Sequence, residues 1–94
     1  MDIFKVIVTE QAKRHLTRIP AYVVLNMQSW VDDIEHRGLR EVRKISGYHD
    51  EPLKGKREGQ RSIRLTKKYR AIYVIGSYGS LDVIKVIEVN KHDY

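Results

Sequence analysis

A chain of 94 residues with 18 Lys and Arg against 12 Asp and Glu carries a formal net charge of +6 and has no cysteine. One hydrophobic core burying about 60–65% of the unfolded surface suits that length, and a second domain does not, so residues 1–94 read as a single domain. The lack of Cys excludes a disulfide scaffold, a zinc–thiolate centre and thiol catalysis, while the positive balance favours a polyanionic partner, either nucleic acid or an acidic protein.

In chain order, Ile3 to Val8 is rich in β-branched and aromatic side chains and predicts a short strand. Thr9 supplies an N-cap oxygen and Glu10 suits the positive end of a helix dipole, which predicts a helix from about Glu10 to Arg18 with Ala12, Leu16 and Ile19 as its buried stripe. Pro20 breaks that helix and can begin the next. From Ala21, the residues Val23, Met27, Trp30, Val31 and Ile34 recur at three- and four-residue steps, the period of a helix with one apolar face, and Gly38 is its C-terminal cap. Leu39, Val42 and Ile45 extend the pattern for a further turn or two.

The section Gly47 to Gln60 has no apolar period and reads as a loop. Beyond it the period becomes two. Ile63 and Leu65 alternate with Ser62, Arg64 and Thr66, and Tyr69 to Ile75 is apolar on both faces, as in a central strand. Gly76 to Ser80 reads as a hairpin turn, and Leu81 to Val89 as the last long strand. The expected architecture is α+β: an N-terminal strand, then two to three helices packed on one face of a mainly antiparallel sheet of about four strands, the other face being left for function. No segment approaches the roughly 20 apolar residues that span a bilayer, and Met1 to Val8 lacks the basic start and long apolar run of a signal peptide; the expected location is the cytoplasm, with no membrane contact.

Chemistry concentrates in two places. Leu53 to Arg70 holds eight cations and one acid, and the final residues are His92-Asp93-Tyr94. Guanidinium and ammonium groups on alternating strand positions suit phosphate contact, and imidazole, carboxylate and phenol offer proton donors and acceptors. Together they point to RNA and to a reaction on it. Arg70 shares parity with Ile72 and Val74 in a strand that looks buried on both sides, so the cation is there either for an acid or for an anion. Arg64 lies on the solvent-parity face of its strand. Lys54, Lys56, Arg57 and Arg61 suit sequence-independent phosphate contacts or, equally, a solubilising face. Glu51, held extended by Pro52, is a candidate general base or an ordinary loop charge, and His49 is a further candidate for the same site. Tyr69 and Tyr73 read as core or half-core rather than as base-stacking platforms. No HxH, HExxH or acidic cluster is present, so no metal ligands are assigned and the expected chemistry is metal-free, with no cofactor.

Pro52-Leu53-Lys54-Gly55-Lys56-Arg57-Glu58-Gly59, then Ser62-Ile63, then Tyr69-Arg70-Ala71-Ile72-Tyr73, and the terminal Asp93-Tyr94, in that order and spacing, resemble the RelE/ParE superfamily of toxins from bacterial toxin–antitoxin modules, and the HigB-like (plasmid maintenance killer) branch most of all. The resemblance spans the whole chain. It implies a ribosome-dependent endoribonuclease, an mRNA interferase, that cuts messenger in the decoding site against ribosomal RNA and is silenced by a cognate antitoxin, for this branch a HigA-like helix-turn-helix protein. By position, Glu51 matches the catalytic Glu of YoeB-like members, Lys54 a basic site residue, Arg70 the phosphate-steadying arginine, and Asp93 and Tyr94 an acid–base pair. His92 departs from the pattern, since HigB-like members carry His after the Asp-Tyr pair. The resemblance therefore implies catalytic Glu51, Arg70, His92, Asp93 and Tyr94, with Lys54, Arg57, Arg61 and Arg64 on substrate. The rival reading is a ParE-like toxin that binds DNA gyrase without cutting. A basic accessory protein that only binds nucleic acid is a third.

Overall fold

The computed structural model describes residues 2–91. Five strands, β1 (Val6–Val8), β2 (Glu51–Pro52), β3 (Arg61–Arg64), β4 (Tyr69–Tyr78) and β5 (Leu81–Lys91), form one sheet in the order β1-β5-β4-β3-β2. Three helices, α1 (Glu10–Leu16), α2 (Ala21–Arg37) and α3 (Leu39–Val42), lie between β1 and β2 in sequence. All strand pairs are antiparallel except β1 with β5, which is parallel. Among the described residues no helix is long and apolar enough to cross a membrane.

The helices follow the sequence pattern. Thr9 Oγ1 accepts from the Ala12 amide at 3.3 Å and starts α1. On α2 the stripe Val23, Met27, Trp30 and Ile34 is buried and meets Ile63, Ala71, Tyr73, Ile84, Val86 and Val89 of the sheet in one core. Trp30 and Tyr73 stand at its centre with ring centroids 5.5 Å apart and planes tilted by 41°. Val86 and Val89 both face the helices because the β4–β5 register shifts at Ile72/Tyr73, a bulge that inserts one extra residue in β5.

Four expectations are corrected. The first strand is Val6–Val8 rather than Ile3–Val8. The β4–β5 hairpin turns at Gly79 and Ser80 alone, with Gly76 to Tyr78 still paired to Val83 to Leu81; Gly79 takes the φ of +63° that a two-residue hairpin turn asks of its first central residue. The loop before β3 contributes a fifth strand, β2, too short for a period-two pattern to show. The face away from the helices is also partly furnished. Ile72 is fully buried yet outside the helix-side core, and its cross-strand partner Glu88 of β5 is ion-paired with Arg57 at 2.7 Å.

Gly38 sets the junction between α2 and α3. Its φ of 84° and ψ of 156° fall in a region that only glycine occupies readily, and a Cβ there would collide with the Asp2 carboxylate. That carboxylate accepts from the Ile3 and Arg40 amides at 2.8 and 2.9 Å, and the Leu39 amide donates to Ile3 O at 2.8 Å, so the N-terminal segment is stitched to the helix junction. The Arg40 amide bond, foremost, holds the Asp2 carboxyl below its ordinary value. Gly38→Ala is expected to lower unfolding stability by about 1–3 kcal/mol in a denaturant titration; an unchanged midpoint would show that the junction yields without strain.

Candidate nucleic-acid site

Alternation along the strands decides which side chains share the helix-free face. The register pairs Glu51 with Ser62, Ser62 with Ile72 and Ile72 with Glu88, one row across the sheet, and Arg64 with Arg70 and Arg70 with Asn90 in the row beside it. Two arginines are thus directly opposed on neighbouring strands, a placement that repels unless an anion lies between or above them. Neither forms an ion pair among the described residues, where the pairs are Lys13–Glu10, Lys44–Glu41, Arg57–Glu88 and Arg61–Asp50. Arg70 Nε is buried without a hydrogen-bond partner among those residues. A pocket of about 80 Å³ opens here, lined by His49, Glu51, Ser62, Arg64, Thr66, Lys67, Tyr69 and Arg70.

The loop that brings His49 and Glu51 to this pocket is anchored twice. Tyr48 Oη donates to Asp33 Oδ2 of α2 at 2.6 Å. Asp50, with only 1% of its side chain exposed, accepts from Arg61 Nε at 2.7 Å on one oxygen and from Tyr73 Oη at 2.6 Å on the other. Residues 48 and 50 are therefore drawn to the helix side while 49 and 51 line the pocket. His49 accommodates the change of direction with a φ of +46°. Across the pocket, Thr66 Oγ1 accepts from the Lys68 and Tyr69 amides at 3.2 and 3.1 Å, shaping the β3–β4 turn that presents Lys67.

The site residues expected from sequence separate into groups. Glu51, Arg64 and Arg70 come together in the pocket. Lys54 is exposed and not among its lining residues. Arg57 is committed to Gln60 Oε1 at 2.6 Å and Glu88 Oε2 at 2.7 Å. Arg61 lies opposite Tyr73, on the helix side, and is a structural partner of Asp50; burial opposes its charge, but the Asp50 hydrogen bond and charge outweigh this and raise its pKa. Arg57 and Arg61 are thus ion-paired to acids that a residue-by-residue reading of the cationic stretch did not connect to them. His92, Asp93 and Tyr94 lie outside the described residues. Sequence reading gave no role to Ser62, Thr66, Lys67, Asp50 or Asn90; signals were available for Lys67, in the cationic run, and for Ser62 and Thr66, which share the strand parity of Arg64.

No protein-family model matches the chain, and no curated protein matches it. Solved structures do. A YoeB/ParE toxin from Agrobacterium tumefaciens is 23% identical with a TM-score of 0.67 over 95% of this chain and 99% of that one. The toxin–antitoxin complex RelBE2 from Mycobacterium tuberculosis gives 19% identity and a TM-score of 0.68 over 96% and 99%. YafQ from E. coli strain BL21(DE3) gives 12% identity and a TM-score of 0.71 over 94% and 92%. The chain has the fold of the RelE-like toxins.

The anchors have a pH signature. Burial first, and then the hydrogen bond to Asp50, push the Tyr73 phenol well above the usual tyrosine range, and burial followed by Asp33 does the same for Tyr48. A raised folded-state pKa means that the stabilising contribution is complete below about pH 10, the ordinary phenol value, and is lost as pH rises above it. In an alkaline absorbance titration, two of the six tyrosines should ionise only as the chain unfolds, and Tyr73→Phe should remove one of them. Because that change leaves a buried Asp50 oxygen unpaired, it should cost about 1–3 kcal/mol. Ionisation of every phenol with the fold intact would contradict the two anchors.

Proposed function

We propose that this protein is the toxin of a type II toxin–antitoxin pair, a ribosome-dependent endoribonuclease that cleaves messenger RNA by acid–base chemistry without a metal. The observation that carries the reading is the opposed Arg64–Arg70 pair beside Glu51 in one pocket, two cations unpaired among the described residues next to one carboxylate. The RelE-like fold supports it, as does the sequence resemblance.

In this mechanism Glu51, or Asp93, takes the proton of an RNA 2′-hydroxyl, whose oxygen attacks the adjacent phosphorus. Arg70, helped by Arg64 and with Lys67 nearby, stabilises the charge that builds on the phosphoryl oxygens. His92 or Tyr94, which follow Lys91 at the end of β5, gives a proton to the departing 5′-oxygen. The bond formed is 2′-O–P and the bond broken is P–O5′, leaving a 2′,3′-cyclic phosphate and a 5′-hydroxyl. Dependence on the 2′-hydroxyl selects RNA over DNA.

The pocket, at about 80 Å³, is far smaller than the ~300–1,000 Å³ of sites that engulf a whole small molecule. It suits the grip of one phosphate, with the ribosome supplying the alignment of the rest of the strand. Partners in this reading are messenger on the ribosome, ribosomal RNA, and an antitoxin whose acidic segment complements the basic sheet face; the resemblance to the HigB-like branch favours a HigA-like helix-turn-helix antitoxin. Gyrase binding without cleavage, the ParE-like alternative, gives no role to a carboxylate set against two arginines.

Incubation with messenger-programmed ribosomes and mapping of the new ends tests the reading, with a gyrase supercoiling assay alongside. Expected are cyclic phosphate ends and undisturbed supercoiling. Arg70→Ala should lower the cleavage rate by about 10²–10³-fold and abolish growth arrest while charge-driven RNA binding is nearly retained. Inhibition of gyrase with messenger left whole would overturn the proposal.

A further inference from the structure

A line of polar side chains runs along the helix-free face from the cationic loop to the candidate pocket. Arg57 Nη1 donates to Gln60 Oε1 at 2.6 Å and its Nη2 to Glu88 Oε2 at 2.7 Å. The same Glu88 oxygen accepts from Asn90 Nδ2 at 3.2 Å. A carboxylate has no proton to offer, so the Asn90 atom facing Glu88 is the nitrogen, and its carboxamide oxygen is turned the other way.

Asn90 is the cross-strand partner of Arg70. Three buried side-chain polar atoms have no hydrogen-bond partner among the described residues, and two of them belong to this pair: an acceptor, Asn90 Oδ1, and a donor, Arg70 Nε. Buried groups are costly to leave unmatched. The two are complementary, a donor and an acceptor on directly opposed positions.

We infer that Asn90 is a positioning residue for Arg70. As the guanidinium turns its two terminal nitrogens to an RNA phosphate, its Nε–H closes on Asn90 Oδ1. Glu88, itself fixed by Arg57, keeps the carboxamide from flipping. Holding Nε from behind leaves the terminal pair free for two-pronged phosphate contact. The role rests on the nuclease reading of the pocket and adds to it the device that aims the arginine. It also explains why Arg57, a cation of the basic loop, is tied to Glu88.

Polarity gives the test. In Glu88→Gln the new amide can donate to Asn90, so the Asn90 carboxamide is free to flip and present a second donor to Arg70; Asn90→Leu removes the acceptor. In single-turnover cleavage of ribosome-bound messenger each should lower the saturating rate about tenfold, with substrate affinity within about twofold of wild type. The double variant Glu88→Gln/Asn90→Asp shifts the carboxylate one place along the line at constant net charge. The amide introduced at position 88 would then donate to the carboxylate introduced at position 90, whose other oxygen faces Arg70, and the rate should return to within about threefold of wild type. A wild-type rate in Asn90→Leu, or a double variant no faster than Glu88→Gln although all unfold at the wild-type temperature, would overturn the inference. Side-chain NMR of the isolated protein with inorganic phosphate separates this from failure of the nuclease reading. The Arg70 Nε–H signal should exchange slowly in wild type and fast in Asn90→Leu. If wild type leaves messenger whole the nuclease reading falls, and equal exchange in the two proteins refutes the positioning role on its own.

Discussion

One buried carboxylate holds the site together. Asp50 is shared between the Arg61 guanidinium of β3 and the Tyr73 phenol of β4, with 1% of its side chain exposed. Removing the Arg61 guanidinium would leave the buried Asp50 carboxylate without its counter-charge, at a cost of about 3–5 kcal/mol. The clamp therefore fixes the chain where it enters β2, and with Tyr48 tied to Asp33 it leaves the residues between and after them no choice of face. His49 and Glu51 meet the pocket because Tyr48 and Asp50 cannot.

What Glu51 meets is a surface rigid in the one respect that matters for binding an anion. Arg64 and Arg70 stand on adjacent strands in fixed register, so their separation is set by the sheet and not by loop entropy. The repulsion between them is built in during folding; in the proposed function a phosphate relieves it, which lets a small pocket favour a highly charged ligand without enclosing it. The same sheet passes the constraint on to β5, where Asn90 and Glu88 follow the rows of Arg70 and Ile72. Helices on the opposite face supply the core, through Trp30 against Tyr73, and Tyr73 serves both sides, with its ring in the core and its hydroxyl on Asp50.

Legibility in the sequence follows the range of the interactions. The α2 stripe, the Thr9 cap and the parity of Arg70 are local or periodic, and all were readable; so was the oddity of a cation in an apolar strand. The Asp50 clamp was not, because its partners are 11 and 23 residues away and nothing local distinguishes a clamped Asp from a loop Asp. For the same reason Arg57 and Arg61 looked like free cations: Glu88 is 31 residues from Arg57, and Asp50 is 11 from Arg61. Strand β2 escaped since two residues carry no period, and Gly38 looked like an ordinary helix cap while its tight contact is with Asp2 at the start of the chain. Of the expected site, Glu51, Arg64 and Arg70 assemble in the pocket, and His92, Asp93 and Tyr94 fall beyond the described residues.

The central claim is that Glu51, Arg64 and Arg70 form one anion-gripping cavity held in shape by Asp50. Titration of the isotope-labelled protein with inorganic phosphate, followed by NMR, tests it most directly. The amides of Glu51, Arg64, Lys67 and Arg70 should shift together along a single saturating curve, and Asp50→Asn, while still folded, should weaken that curve by about tenfold. Shifts scattered over the exposed lysines without saturation, or an affinity untouched by Asp50→Asn, would contradict it.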